Sequence, residues 1–262
     1  MTSFRKYPMD PNSSIYQHYY NKNTQQTLEF ILAKEQEYHT RCKFPLVITE
    51  ALNLLNTYQD PSDPDTDQDN LLHAYQTAER IRQDYPNEEW LQITGLIHDV
   101  GKILFSTQFK QPDWCVVGDI FPVGCQFSEQ CVYSEFFKVN PDNHKYDQLG
   151  IYSLHCGLDN LHMTWGHDYY LYKVLIDNKD RHSLPDLALR IIRYHSFYPL
   201  HHQGAYSYFL NQEQDDLNLL LWLQKFSTYD LYSKKDPLLV TNDIKSYYHN
   251  LLTKYFHEEL LW

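Results

Sequence analysis

Gly95-Leu96-Ile97-His98-Asp99-Val100-Gly101-Lys102 places an adjacent His-Asp pair at the end of an apolar helical run, with a lysine three residues further on. A neutral imidazole beside a carboxylate is a ready pair of metal ligands, and the apolar flank predicts that both are buried. The dipeptide alone proves little, because such pairs also arise by chance on solvated surfaces. Other donors along the chain change its weight. His73 precedes the pair on an earlier helical segment, and His167, His195 and Asp230 follow on three later ones. Four histidines and two carboxylates are too many for a closed four-coordinate zinc site, and they suit two adjacent iron or manganese ions with open positions.

The spacing within the pair supports two ions. Successive helical residues point about 100° apart, so His98 and Asp99 cannot grip one ion from the same direction as an i, i+4 pair can. They can span two, with His98 on one metal and Asp99 bridging to the second. His73 reaches the first ion if its helix packs antiparallel to the next through the turn at Pro86. His167 and His195 sit where helices meet loops, positions that face cavities. Asp230 is flanked by aromatic and apolar residues, where a charge is costly unless paired or metal-bound. The remaining histidines lack this combination of setting and spacing and are read as surface or structural. Lys102 would be repelled by a dinuclear metal centre unless a polar group lay between them, which makes it a candidate substrate contact, beside the alternative of a lysine snorkelling from a helix end.

At 262 residues and 42% apolar content the chain is long enough for one large core. A single domain over residues 1–262 is expected. The formal net charge of -12 argues against nucleic acid or an anionic membrane as a partner, since both call for a concentrated positive patch. With no apolar leader segment and no membrane-length apolar run, a soluble cytoplasmic protein is expected. The odd cysteine count, Cys42, Cys115, Cys125, Cys131 and Cys156, without close CxxC pairing, fits reduced thiols in that compartment.

Helical periodicity dominates, over Gln25–Tyr38, Pro45–Tyr58, Leu71–Tyr85, Glu89–Phe105, Trp165–Asn178, Pro185–Phe197, Asp215–Tyr232 and Asp243–Phe256. The predicted fold is all-α, a compact helical bundle. Residues 114–135 interrupt it with an irregular or β-hairpin insertion, because Cys115–Asp119 and Phe121–Cys125 read as short strands or extended loops with turns. The acidic segment Asp60-Pro61-Ser62-Asp63-Pro64-Asp65-Thr66-Asp67-Gln68-Asp69 reads as a loop whose last Asp caps the next helix. It is not a calcium loop, since Gln68 stands where glycine is needed and Ala74 where the bidentate Glu belongs. Asp60 and Ser62 could instead hydrogen-bond a polyhydroxylated substrate.

Taken in order, His73-Ala74-Tyr75-Gln76-Thr77-Ala78-Glu79, His98-Asp99-Val100-Gly101-Lys102, Val117-Gly118-Asp119-Ile120-Phe121-Pro122-Val123-Gly124-Cys125, His155-Cys156-Gly157-Leu158, Trp165-Gly166-His167-Asp168, Tyr194-His195-Ser196-Phe197-Tyr198-Pro199 and Phe226-Ser227-Thr228-Tyr229-Asp230-Leu231-Tyr232 carry more than the minimal H…HD…D signature of the HD-domain superfamily. Together they closely resemble the myo-inositol oxygenase family, over nearly the whole chain. The resemblance implies an HD-type helical domain with two irons in a mixed-valent Fe(II)/Fe(III) state. It further implies dioxygen as co-substrate and ring cleavage of myo-inositol to D-glucuronate, a step of inositol catabolism, by a monomer.

Carried over residue by residue, the first iron takes His73, His98, Asp99 and Asp230, and the second takes Asp99 as bridge with His167 and His195. Substrate contacts fall on Arg5, Asp60, Ser62, Asp63, Lys102, Gly118, Asp119, His195, Ser196 and Lys234, with Lys102 and Asp99 in catalytic roles. No role is carried onto Tyr19 or Tyr20. The stretch between Lys102 and Trp114 is one residue longer than the family pattern, which bears on loop geometry and not on the ligands. The alternatives are an HD-type phosphohydrolase, which shares His73, His98, Asp99 and Asp230 but should offer more basic residues to a phosphate, an HD oxygenase acting on another polyol or a phosphonate, and a helical scaffold with a decayed site.

Overall fold

The computed structural model describes residues 7–58, 60, 69–106, 108–109, 111–213, 215–233 and 238–262, with the side chains of residues 232 and 233 left aside. Ten α-helices account for just under half of the described residues: α1 Ser14–Gln25, α2 Leu28–Thr40, α3 Ile48–Leu54, α4 Asn70–Asp84, α5 Glu89–Ile97, α6 His167–Asp177, α7 Asp186–Tyr194, α8 Tyr198–His201, α9 Asp216–Ser233 and α10 Asn242–Tyr255. The expected all-α class is the one observed. The paired strands β1 Pro45–Leu46 and β2 Leu260–Leu261 form a two-stranded antiparallel clip, with Pro45 opposite Leu261. This clip seats the chain end. Trp262 is fully buried and its indole N–H donates to the Leu46 carbonyl at 3.1 Å.

The expected helices form with shifted ends, and each shift has a local cause. Asp69 caps α4 by accepting from the Leu71 and Leu72 amides, the role expected for the last acidic residue of its loop. Val47 and Pro45 are extended, so the predicted Pro45–Tyr58 helix is reduced to α3 and a 3-10 turn at Leu55–Thr57. Helix α1 was absent from the periodicity because its buried side chains are His18, Tyr19, Lys22 and Asn23, mostly polar groups that give no apolar stripe. The insertion at 114–135 contains no hairpin. It is irregular backbone with a 3-10 turn at Asp113–Cys115, and Pro122 makes an isolated bridge to Met163.

The consequential difference lies in the predicted Glu89–Phe105 helix. Helix α5 stops at Ile97, His98 and Asp99 form a turn, and a 3-10 turn follows over Val100–Phe105. Asp99 sits at φ -92, ψ -2, the sparsely occupied bridge region where many site residues are found. Gly101 fixes the break. A Cβ there would lie 2.0 Å from the His167 carbonyl oxygen, so only glycine lets the turn press against the first residue of α6.

One main hydrophobic core runs from Ile31 to Trp262 and gathers residues of α2 through α10. Within it α4 packs on α5 and α9, while α6 packs on α7 and on the Val100–Phe105 turn. Each fully buried Leu or Ile of that core contributes about 1.5–3 kcal/mol relative to exposure. The short helix α8 is tied to the core by a buried histidine, since His201 Nε2 donates to the His195 carbonyl at 3.0 Å. Burial, and then the neighbouring His202, push the His201 imidazole down to about 3.

Two outcomes are expected from this packing. Gly101→Ala should cost about 3 kcal/mol, at the upper end for forced overpacking, because the clash is with backbone. Chemical denaturation measures this, and unaltered stability would contradict the close approach. The second concerns pH. An unfolded imidazole titrates near 6.5 and folded His201 near 3, so between these values the unfolded chain binds the extra proton. Stability from neutral His201 is therefore complete above pH 6.5 and lost as pH falls towards 3. Urea unfolding of metal-free protein from pH 7 to 4 should show an acid decline in the wild type that is shallower in His201→Gln, by up to about 1.4 kcal/mol per pH unit. Parallel profiles would show that His201 does not titrate in this way.

Candidate metal centre

Five elements converge on one buried cluster. Helix α4 brings His73, the turn after α5 brings His98 and Asp99, α6 opens with His167, α7 ends at His195, and α9 brings Asp230. All six side chains are buried, none more than 7% exposed. Two groups of donor atoms, His73 with His98 and Asp99, and Asp99 with His167 and His195, each lie within 4.8 Å of one another. Asp99 belongs to both. Its Oδ1 is 3.1 Å from His167 Nε2 and 3.8 Å from His195 Nε2, while its Oδ2 is 3.6 Å from His98 Nε2. Asp230 Oδ1 is 2.9 Å from His73 Nε2 and 3.4 Å from His98 Nε2, and its Oδ2 accepts from Tyr198 Oη at 2.8 Å.

Three of the four imidazoles are oriented by the backbone. His98 Nδ1 donates to the Gly95 carbonyl, His167 Nδ1 to that of Val116 and His195 Nδ1 to that of Ile192, each at 2.8 Å. In the neutral rings this leaves every Nε2 lone pair aimed at the cluster. His98 Nε2 is buried with no hydrogen-bond partner among the described residues. His167 Nε2 and His195 Nε2 stand 3.2 Å apart, two lone pairs that repel unless a cation lies beside them or one ring is protonated. Burial alone would lower the His195 pKa, but Asp168 and then Asp99 outweigh it and raise it to about 9. A proton there is the smallest cation the site can attract. Imidazole and carboxylate donors of this kind, without thiolate, fit a pair of iron or manganese ions.

Asp99 is held anionic. Burial opposes its charge, yet Lys102, then His98 and the His167 and His195 rings beside it, hold the carboxyl well below the usual range. Lys102 Nζ contacts Asp99 Oδ2 at 2.9 Å, Asp60 Oδ2 at 2.9 Å and Asn70 Oδ1 at 3.2 Å. Desolvation would lower its pKa, but Asp60 and Asp99 raise it, so the ammonium stays charged. The snorkelling alternative does not hold, since Lys102 is only 5% exposed. Its neighbours are the cluster carboxylate Asp99 and Asp60.

The candidate substrate contacts divide between described and undescribed residues. Arg5, Ser62, Asp63 and Lys234 lie outside the described residues. Asp60 sits on Lys102, and the Val117–Ile120 loop lies on the His195–Ser196 turn, where the Ile120 amide donates to the Ser196 carbonyl at 3.0 Å. Gly118, at φ +86, turns that loop against His18 and Lys22. Three residues with no role in the sequence reading support these groups. Tyr19 Oη donates to Asp119 Oδ1 at 2.9 Å, Lys22 Nζ donates to the Val117 carbonyl at 2.9 Å, and Tyr198 holds Asp230. Tyr19 and Lys22 come from α1, whose polar character concealed it.

A family model described as Myo-inositol oxygenase matches residues 12–262. Inositol oxygenase 5 of Arabidopsis thaliana is 47% identical over 267 residues, spanning 99% of this chain and 83% of that protein. The inositol oxygenase of Dictyostelium discoideum is 42% identical over 266 residues, 99% of this chain and 89% of its own length. That of Rattus norvegicus is 40% identical over 265 residues, 99% of this chain and 91% of its own. The match covers every element that converges on the buried cluster, and the chain belongs to the myo-inositol oxygenase family.

Proposed function

We propose that this chain is a non-haem di-iron oxygenase that cleaves the ring of myo-inositol with dioxygen to give D-glucuronate. The observation that carries the reading is Asp99, whose two oxygens face two separate histidine groups. His73, His98, Asp99 and Asp230 would hold one iron, and Asp99, His167 and His195 the other, in the Fe(II)/Fe(III) state. When bound, the pair supplies Lewis acidity towards substrate hydroxyls and the redox capacity for a four-electron oxidation by dioxygen.

The protein's own residues bind and orient the ring. Lys102, kept charged by Asp60 and Asp99, donates to a hydroxyl near the reacting carbon. Asp60 and Asp119 accept from other hydroxyls, with Asp119 fixed by Tyr19. Ser196 adds a contact beside His195, and Gly118 turns the loop that carries Asp119. Arg5, Ser62, Asp63 and Lys234 complete the set in this reading. Burial of the cluster excludes water, so an oxidising centre meets substrate alone.

Residues 1–262 act as a single domain in this reading, as a cytoplasmic monomer. The one main core supports the single domain, and the five free cysteines fit a reducing compartment. The phosphohydrolase alternative finds little support, because the cations Lys102 and Lys22 stand among Asp60, Asp99, Asp119 and Asp168 and offer no unopposed positive site to a phosphate.

Iron-loaded, partly reduced protein is expected to consume dioxygen with myo-inositol and release glucuronate. Phosphate-ester hydrolysis without oxygen uptake would instead establish the hydrolase, and preference for another polyol or a phosphonate would move the substrate assignment. Asp99→Asn should leave fewer than two irons per chain and lower activity by more than about 100-fold, the upper loss found for groups that merely support a ligand. Full iron occupancy with retained turnover would remove the bridging role.

A further inference from the structure

Asp168, the residue after His167, is 1% exposed and belongs to neither ligand group. One of its oxygens serves two neighbours from the turn after α7. Asp168 Oδ1 lies 3.0 Å from His195 Nδ1 and accepts from Ser196 Oγ at 2.8 Å. Its Oδ2 is 3.5 Å from His167 Nδ1 and has no hydrogen-bond partner among the described residues. We propose that Asp168 is a positioning residue that orients His195 towards the metal and fixes Ser196 as a hydrogen-bond acceptor for a substrate hydroxyl. This rests on the di-iron reading of His195.

The chemistry follows from where protons must lie. The His195 Nδ1 proton is donated to the Ile192 carbonyl at 2.8 Å, and the Asp168 charge 3.0 Å from the same nitrogen favours keeping it there, so the lone pair remains on Nε2. The same charge makes the imidazole a stronger donor to a metal. Ser196 has one hydroxyl proton, and Asp168 takes it. What Ser196 presents to the cavity is lone pairs, so the substrate group it meets must donate.

Two features stabilise a carboxylate so deeply buried. Asp168 occupies the first turn of α6, where the helix dipole favours a negative charge. The fully buried Lys22 stands opposite it. Burial pushes the Lys22 ammonium down to about 8, and Asp168 is the first of the charges that resist this. One anion thus joins α6 to the turn after α7, with the charge of Lys22 on α1 to balance it, and on this frame a metal ligand and a substrate contact are held together.

The test compares Asp168→Asn with Ser196→Ala and wild type, each loaded with iron. Two quantities are followed, iron release to a competing chelator and the separate kcat and KM for myo-inositol. Asp168→Asn should weaken one of the two irons by about 10- to 100-fold and leave the other near wild type. At saturating iron its KM should rise together with the KM of Ser196→Ala. Ser196→Ala should raise KM at least fivefold while iron release stays within twofold of wild type. Release of both irons from Asp168→Asn at wild-type rates overturns the proposal. Where Asp168→Asn does not fold, Ser196→Ala decides alone, and an unchanged KM overturns it. If wild-type protein holds fewer than two irons or leaves myo-inositol intact, the di-iron reading itself fails. Wild-type protein that does both, beside an Asp168→Asn variant that matches it, removes only this inference.

Discussion

A carboxylate placed between two sets of inward-facing imidazoles is the constraint around which this protein is arranged. Asp99 cannot lose its charge without abandoning its contacts, and it cannot keep that charge in a dry interior without cations around it. In the structure those partners are Lys102 and the rings of His98, His167 and His195. The geometry is satisfied at one level by protons and at another by metal. The imidazoles of His98, His167 and His195 are tethered through Nδ1 to carbonyls, so what the cluster lacks is positive charge on the Nε2 side, which divalent or trivalent ions would supply.

The break in the helix after Ile97 makes this arrangement reachable. Had α5 continued to Phe105, His98 and Asp99 would have been locked about 100° apart on one cylinder. The turn frees Asp99 to present both oxygens to different groups, and Gly101 lets the following 3-10 segment press on α6 so that His167 stands opposite. Backbone shape and ligand geometry are one problem here. The residue that solves it has no side chain at all.

Support for the cluster comes from polar residues more than from apolar ones. Tyr19, Lys22, Asp168 and Tyr198 are buried, and each bonds or stands opposite a group that faces metal or substrate. Such groups are invisible to a reading based on apolar periodicity. Helix α1 shows this most plainly, since its buried face is His18, Tyr19, Lys22 and Asn23, and its weak amphipathicity gave no warning of a helix. Asp168 belongs to the Trp165-Gly166-His167-Asp168 motif, yet only its 3.0 and 2.8 Å contacts distinguish it from the many acidic residues that open helices.

The sequence by itself determined the all-α class, the segments carrying His73, His98, His167, His195 and Asp230, and the family, because these depend on local periodicity and on residue order. The Asp69 cap was equally legible, since a cap acts on the amides beside it. Tertiary structure alone decided that the insertion carries no hairpin, that Asp99 faces two groups, that Lys102 is clasped by Asp60 and Asp99, and that Asp168 meets His195 and Ser196. Those facts are contacts between residues distant along the chain. Their energies depend on burial and on angstrom-scale distances that no local pattern encodes.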